Sequence, residues 1–198
     1  ANHGIGHAFP TGPPELRRAW LEVEVRDAAG RIVARSGGAD LDDEAHLYGA
    51  IGIDRDGNEV AHGEAHAIVA YAVRRLLLPD EPDVVRYRWR LPAGVRWPLA
   101  VRARLWSRRF RSEVATAIGG AVREEGAPRL MAEGRWSLAE QAAATLPDPA
   151  DAWHDYGIGL LRQGDLVGAA HAMQQVIALE PRAARGAIGL GQVRLAEG

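Results

Sequence analysis

The sequence predicts a mainly β-sandwich domain of about seven strands over residues 1–138, followed by an all-α helical repeat over residues 139–198. Two observations support this prediction. Before Leu138, apolar and polar residues alternate in short segments that are separated by turns, as in half-buried strands. After Leu138 the chain is rich in alanine, and its aromatic and small residues recur at helical spacing. The change of pattern therefore predicts two domains.

The strand predictions begin with AWLEVEVRD, residues 19–27, which alternates apolar and polar residues with a period of two. The DAAG turn leads into RIVARS, residues 31–36, as in a β-hairpin. Later candidates, separated by proline-containing breaks, are AIVAYAVRRLLL, DVVRYRWRL, LAVRARLWSRRF and RLMAEGRWSL. The first of these also fits a helix, and residues 112–126 fit either a helix or an irregular loop. This spacing of short strands predicts an immunoglobulin-like sandwich.

The helical prediction rests on residues 148–181. Trp153, Gly157, Ala169 and Pro181 fall at the positions that characterise the tetratricopeptide unit, which is about 34 residues long. Small residues allow two antiparallel helices to cross closely, and the proline ends the second helix. The next unit begins and stops after one helix, which leaves an apolar face without a partner. We therefore expect the chain to be a piece of a longer protein.

The composition narrows the classes of function. The chain has 198 residues and a net charge of -2, so no general attraction to nucleic acid or to an anionic membrane is expected. No apolar run approaches the roughly 20 residues of a membrane helix. The absence of cysteine excludes disulfides, thiolate metal sites and CxxCH haem attachment within these residues. Arginine alternates with tryptophan and other apolar residues around residues 86–90 and 102–109, which favours the polar face of a sheet over a nucleic-acid surface.

Seven histidines are the candidate ligands, and two pairs of them are spaced by four residues: His3 with His7, and His62 with His66. On a helix this spacing would indicate zinc, but both pairs lie among glycines. A metal-dependent enzyme that holds zinc, copper or iron with these four residues is therefore the weakest alternative. Nucleophile elbows, phosphate-binding loops and dinucleotide fingerprints are absent from the sequence, so we predict no catalytic residue.

The other three histidines have ordinary interpretations. His46 follows the acidic stretch DLDDE, residues 40–44, which lacks the residue order of a calcium-binding loop and is predicted to be a solvated loop. His154 and His171 lie in the predicted helices, where exposed positions are expected.

The opening segment carries a family resemblance. It reads NHGIGHAFPTG and continues into RRAWLEVEVRDAAG. This combination resembles a segment of bacterial multihaem c-type cytochromes that follows their haem-binding region, with the patterns N-x-x-x-G-H-x-F-P-T-G and R-x-x-W-L-x-V-x-V-x-D-x-x-G. The stretches DRDGNEVAHGEAH, RYRWRLPAG, VRARLWSRRF and PRLMAEGRWSL resemble the same proteins. Some of those cytochromes also continue into tetratricopeptide repeats, so the resemblance covers essentially the whole chain.

The resemblance implies that His7 is a distal ligand to the iron of a c-type haem. Phe9 and Pro10 would supply apolar surface beside the porphyrin, His66 is a second candidate ligand, and His62 is a less favoured one. Because this chain has no CxxCH, its haem c would be attached through a segment not present here, or the haems have been lost and the scaffold kept. The alternative for His7 is a turn residue that hydrogen-bonds to the backbone.

The function that the resemblance implies is a non-catalytic module of a multihaem c-type cytochrome that supports electron transfer. Its expected partners are the haem-bearing region of the same or another protein, and a redox or scaffold protein that docks on the helical repeats. The implied location is periplasmic or extracellular, with no nucleic acid bound and no membrane insertion. The alternative is a cofactor-free scaffold for protein–protein interaction.

Overall fold

The computed structural model describes residues 1–39, 45–60, 64–110, 114, 116, 127–139 and 148–198. Within these ranges the protein has one antiparallel sheet of six strands and three C-terminal helices. The strands are β1 (Arg18–Arg26), β2 (Ile32–Ser36), β3 (His46–Ile53), β4 (Ala70–Arg75), β5 (Leu99–Arg108) and β6 (Arg129–Leu138). The helices are α1 (Pro149–Arg162), α2 (Leu166–Leu179) and α3 (Ala184–Glu197).

The chain divides into two compact units. The sheet unit comprises His7–Leu76 and Arg88–Ala144. The helical unit comprises Ala1–Gly6, Leu77–Tyr87 and Thr145–Gly198. The boundary predicted at residues 138 and 139 borders on residues outside the described ranges, and it stays a prediction.

Strand β1 is the centre of the sheet, whose strand order is β4-β3-β1-β5-β6. Along one edge, the first half of β1 pairs with β3 and the second half with β2. Along the other edge, β5 pairs with the whole length of β1, from Arg18 opposite Arg108 to Arg26 opposite Ala100. Strand β1 is also buried on both faces, because Ala19 and Trp20, which point to opposite faces, are both fully buried.

The predicted seven-strand sandwich was wrong, because the strands of the described residues form a single sheet. DVVRYRWRL, residues 83–91, was predicted to be a strand but pairs with no strand of the sheet. The strand β3, which was not predicted, lies beside β1 instead. Alternation identified β1, β2, β4, β5 and β6 but overestimated the number of strands, because a period of two reports an extended chain and not its pairing.

The three helices of the helical unit pack around a common apolar core, and aspartate side chains cap two of them. Asp148 accepts hydrogen bonds from the amides of Ala150 and Asp151 and so caps α1, while Asp165 caps α2 by accepting from Gly168. The core of the unit contains Leu160 of α1, together with fully buried residues from α2 and α3: Ala169, Met173, Val176 and Val193. Each helix therefore buries one apolar stripe against its neighbours.

The helical unit also contains a non-helical segment, residues 77–87. Val84 packs against the cluster of Leu160, Ala169 and Val193. Gly159 makes this possible, because a Cβ atom there would lie 2.6 Å from Cγ2 of Val84. The side chain of Gln163 donates to the carbonyl of Val84 over 2.8 Å. The unit is therefore not all-α.

The prediction of an all-α tetratricopeptide repeat was accordingly wrong. Polar contacts reinforce the attachment of the non-helical segment: Arg86 donates to Asp165 over 2.6 Å, and Arg162 pairs with Glu81. A repeat array buries its apolar faces by stacking about three or more similar units. Here a non-helical segment from an earlier part of the chain supplies part of the core. The helical spacing of the sequence therefore predicted the helices correctly but not their arrangement.

The N-terminal residues belong to the same unit. The side chain of Asn2 is buried and donates to the carbonyls of Leu77 and Leu78, each over 3.1 Å. His3 lies between two carboxylates, with Nε2 3.0 Å from Asp155 and Nδ1 3.5 Å from Asp80. Ionised carboxylates only accept hydrogen bonds, so this arrangement favours the imidazolium form with both nitrogens protonated. The hydrogen bond and the negative charge of Asp155 raise the pKa of His3.

The raised pKa predicts a pH-dependent contribution to stability. A raised folded-state pKa stabilises the protein below the unfolded value of about 6.5, and the contribution disappears as pH rises through the folded value. We therefore expect the free energy of unfolding to fall further in the wild type than in His3→Asn as pH rises from 6 to 8. The difference between the two proteins should be less than about 1 kcal/mol. The contribution is small because His3 is 60% exposed.

Urea unfolding followed by helical circular dichroism at several pH values measures this contribution. The matched variant Asp155→Asn keeps His3 but removes its stronger partner, and should show the same loss of pH dependence. Parallel pH profiles for the wild type and both variants would contradict this assignment.

Each of the three described helices contains 14 residues, and none of them is long and apolar enough to cross a bilayer.

Candidate functional site

The candidate site begins at the turn that contains His7, Phe9 and Pro10. His7 is exposed, Phe9 is half-buried and Pro10 is buried, so the turn presents the imidazole while its apolar residues face the sheet unit. The peptide bond between Phe9 and Pro10 is cis. Nδ1 of His7 lies 3.1 Å from the carbonyl oxygen of Ala8.

The contact with Ala8 determines which ring nitrogen of His7 carries the proton. A carbonyl oxygen only accepts hydrogen bonds, so Nδ1 must carry the proton, and in neutral His7 the lone pair is on Nε2. Histidines that bind metals commonly donate one ring N–H to a backbone carbonyl in this way, since the bond selects the tautomer and orients the ring. His7 therefore makes the backbone hydrogen bond expected of a turn histidine and also has the tautomer of a ligand.

Two aromatic side chains that the sequence did not indicate as part of the site accompany the turn. The ring of Phe9 lies 6.4 Å, centroid to centroid, from Tyr48, which is buried in β3. Tyr48 in turn makes an edge contact with His46 at 5.0 Å. His46 was predicted to belong to a solvated loop, but it is the half-buried first residue of β3. The acidic residues 40–44 before it lie outside the described ranges.

A buried arginine holds the loop after the turn against β3. Nη1 of Arg18 lies 2.8 Å from the carbonyl of Ala50 and within 3.4 Å of the carbonyls of Pro14, Glu15 and Arg17. The amide of Ala50 donates to the carbonyl of Pro14 over 3.0 Å. One guanidinium group therefore satisfies carbonyls of both the loop and the strand.

Gly49 permits the close approach between this loop and β3. Its φ is +146°, and a Cβ atom there would lie 2.9 Å from the carbonyl oxygen of Arg17. A side chain at this position would push the loop away from the strand. The glycine that weakens the strand pattern in the sequence is thus required by the packing of the turn.

The other predicted ligands lie elsewhere. His66 is exposed in a short 3-10 turn, Ala65–Ala67, between β3 and β4. His62 lies outside the described residues. His3 belongs to the helical unit, where it pairs with Asp80 and Asp155. Among the described side chains, no group of three or more His, Cys, Asp and Glu residues is arranged to hold a metal ion.

The residues of the turn fit the role of an axial ligand to a haem, but the chain does not fit the role of attaching haem c covalently. The tautomer of His7 suits an axial ligand, and the half-buried ring of Phe9 offers apolar surface nearby. The chain has no cysteine, so it does not itself supply the thioethers that attach haem c. The residues therefore fit an axial ligand to a haem that is attached elsewhere.

Comparisons with known proteins identify a structural relative. No protein-family model matches the chain, and no similar protein is found among the curated proteins. Among solved structures, the chain is similar to a penta-haem cytochrome c552 from Thermochromatium tepidum, with a TM-score of 0.51 and 22% identity. The likeness is one of fold. It covers 67% of this chain and 33% of the cytochrome, so the chain matches about a third of that protein.

Proposed function

We propose that this chain is a module of a multihaem c-type cytochrome that supports electron transfer, with His7 as an axial ligand to a haem attached outside these residues. The observation that carries the proposal is the hydrogen bond from Nδ1 of His7 to the carbonyl of Ala8, which leaves the lone pair on Nε2. Two further points support it: the opening segment resembles that of multihaem cytochromes, and the structural relative is a penta-haem cytochrome.

The proposed role is one of binding and tuning rather than catalysis. The bound haem iron would carry the electron, and an axial histidine helps to set its reduction potential. The residues of this chain orient the imidazole: the backbone bond fixes the ring of His7, and Arg18 holds the following loop on β3. The half-buried ring of Phe9, which lies beside Tyr48, offers apolar surface next to the turn.

The proposal also includes the location of the module and its partners. We place it in the periplasm or outside the cell, where c-type cytochromes of this kind would act, with the haem-bearing region as its partner. His66 is the second candidate ligand, so a comparison of its alanine variant with that of His7 separates the two candidates. Docking of a redox or scaffold protein on the helices stays a prediction.

A haem c peptide that carries its own proximal histidine and an open sixth position tests the ligand directly. Titration of the 198-residue chain should convert the peptide to a six-coordinate low-spin form, visible in the Soret band and in electron paramagnetic resonance. We expect His7→Ala to weaken this binding at least about tenfold, because it removes the coordinating nitrogen. His66→Ala should bind like the wild type.

Two outcomes would contradict the proposal. Equal binding by His7→Ala and the wild type would show that another group coordinates the iron. No low-spin complex at any concentration of the peptide would favour the alternative, a cofactor-free interaction scaffold in which His7 is only a turn residue. Circular dichroism of each variant checks that the fold is retained.

A further inference from the structure

One face of the sheet carries an unusual concentration of charge at its centre. The register places Glu22 opposite Arg104, and Glu24 opposite Arg102, on β1 and β5. Because these are directly paired positions, their side chains lie on the same face. Glu22 and Glu24 are nonetheless buried, at 2% and 6% exposure.

A groove of about 450 Å³ opens on this face, across β1, β5 and β6. Its charged lining comprises Glu24 and three arginines, Arg26, Arg102 and Arg135, while Ala100 and Ser137 lie between them. The volume is within the range of small-molecule sites. The groove therefore combines an uncharged floor with guanidinium groups on three adjacent strands.

The carboxylates only partly compensate these cations. Oε1 of Glu24 accepts from Nε of Arg26 over 2.7 Å and from Nη2 of Arg102 over 3.2 Å. The hydrogen bond from Arg26 lowers the pKa of Glu24, so this carboxylate is ionised at neutral pH. Arg135 donates to Glu133, a neighbouring residue of β6. Three guanidinium groups thus share two carboxylates, which leaves one net positive charge at the groove.

Arg135 is the most accessible of the three cations. Its side chain is 72% exposed, against 42% for Arg26 and 33% for Arg102. A guanidinium group has five N–H donors in a planar fork, and one carboxylate contact through Nε does not use all of them. The exposed donors of Arg135 are therefore positioned to bind an additional oxyanion that enters the groove.

We propose that this groove binds a small organic anion that has a carboxylate or phosphate group on an apolar body. The oxyanion pairs with Arg135 and the neighbouring guanidinium groups, because their forks match the geometry of both anions. The apolar body lies on the floor at Ala100 and along the aliphatic stems of the arginines. The proposal goes beyond the proposed haem function and does not depend on it, since it uses neither His7 nor Phe9.

Three related probes separate the chemical classes: 1-naphthoate, 1-naphthyl phosphate and the neutral alcohol 1-naphthalenemethanol. Isothermal titration calorimetry of the intact chain at low ionic strength should detect binding of at least one anion and much weaker binding of the alcohol. Comparison of the two anions identifies the preferred oxyanion. Binding should weaken as salt is added, because the attraction is screened.

Three variants assign the binding to the groove. Arg135→Gln should raise the Kd of the preferred anion about tenfold, because a charged hydrogen-bonding pair is lost. Glu133→Gln should lower the Kd, because it removes the carboxylate that competes for Arg135. Arg55→Gln, which changes the same charge in an exposed turn between β3 and β4, should leave the Kd unchanged.

Several results would overturn the inference. These are equal binding of the alcohol and the anions, the same Kd for Arg135→Gln and Arg55→Gln, or no binding of either anion at millimolar concentration. Circular dichroism confirms that each variant is folded before the constants are compared.

Discussion

Replacement of Arg18 by methionine should lower the free energy of unfolding by about 3 kcal/mol or more. The side chain of Arg18 is 5% exposed, and its guanidinium group lies 2.8 Å from the carbonyl of Ala50. Methionine approximates the aliphatic stem but offers no donor, so the buried carbonyl of Ala50 and the part-buried carbonyls of Glu15 and Arg17 lose this donor. Each unsatisfied buried carbonyl costs about 1–3 kcal/mol, and the ion pair with Glu59 is lost as well.

Urea unfolding followed by tryptophan fluorescence measures this loss. The matched control is Arg55→Met, an identical change in an exposed turn, which should shift the free energy by less than about 0.5 kcal/mol. Arg18→Lys should retain only part of the stability, because one ammonium group does not reproduce the planar fork. Equal effects of Arg18→Met and Arg55→Met would refute the idea that Arg18 holds the loop on β3.

The second large effect is expected at Met173, which is one of two methionines in the chain. Met173 is fully buried in the helical unit, whereas Met131 in β6 is 56% exposed. Met173→Ala should destabilise the helices by about 2–5 kcal/mol, and Met131→Ala by less than about 0.5 kcal/mol. We expect a value near the upper end, because the side chain packs against Gly157 and Gly189, which have no side chains to fill the cavity.

Helical circular dichroism during urea unfolding checks this difference. Treatment with hydrogen peroxide gives an independent measurement, since exposed methionine is oxidised to the sulfoxide and buried methionine is protected until it is exposed by unfolding. Mass spectrometry should therefore find Met131 oxidised first. Equal destabilisation by the two alanine variants, or simultaneous oxidation of the two residues, would contradict the packing of the helical unit.

Local patterns predicted individual elements better than their arrangement. The stretch predicted as the last strand, residues 129–138, coincides with β6, since its alternation and its flanking residues are local signals. The strand β3 was missed because Gly49 and Gly52 interrupt its apolar pattern. Gly49 is there for contact with the loop before β1, which is a long-range requirement that a sequence window does not report.

The error in fold class has a related cause. In the sequence, the alternation predicts that Glu22 and Glu24 lie on a polar, solvent-facing side of the strand, yet both are buried in the folded sheet. Arg102 and Arg104 of β5 neutralise them across the strands, so polarity alone did not indicate exposure. Likewise Val84 has the alternating context of a strand residue, but its apolar partners are in helices more than 70 residues later.

The roles of the candidate site residues stay predictions. The sequence indicated His7, Phe9 and Pro10 through their resemblance to cytochromes, and the structure adds the hydrogen bond that selects the tautomer of His7. Tyr48 was not foreseen, because its contact with Phe9 joins two distant segments of the chain. The charged groove was also not foreseen, because three strands must pair before Arg26, Arg102 and Arg135 become neighbours.

The attachment of residues 77–87 to the helices has a consequence for the order of folding. Helical hairpins normally fold fast because their contacts are local in sequence. Here the contact between Gln163 and Val84 spans 79 residues, and the one between His3 and Asp155 spans 152. During synthesis on the ribosome, Val84 emerges well before its apolar partners exist. The segments around His3 and Val84 therefore reach their partners only after the helices have been made, and this unit should fold more slowly than its helix content alone suggests.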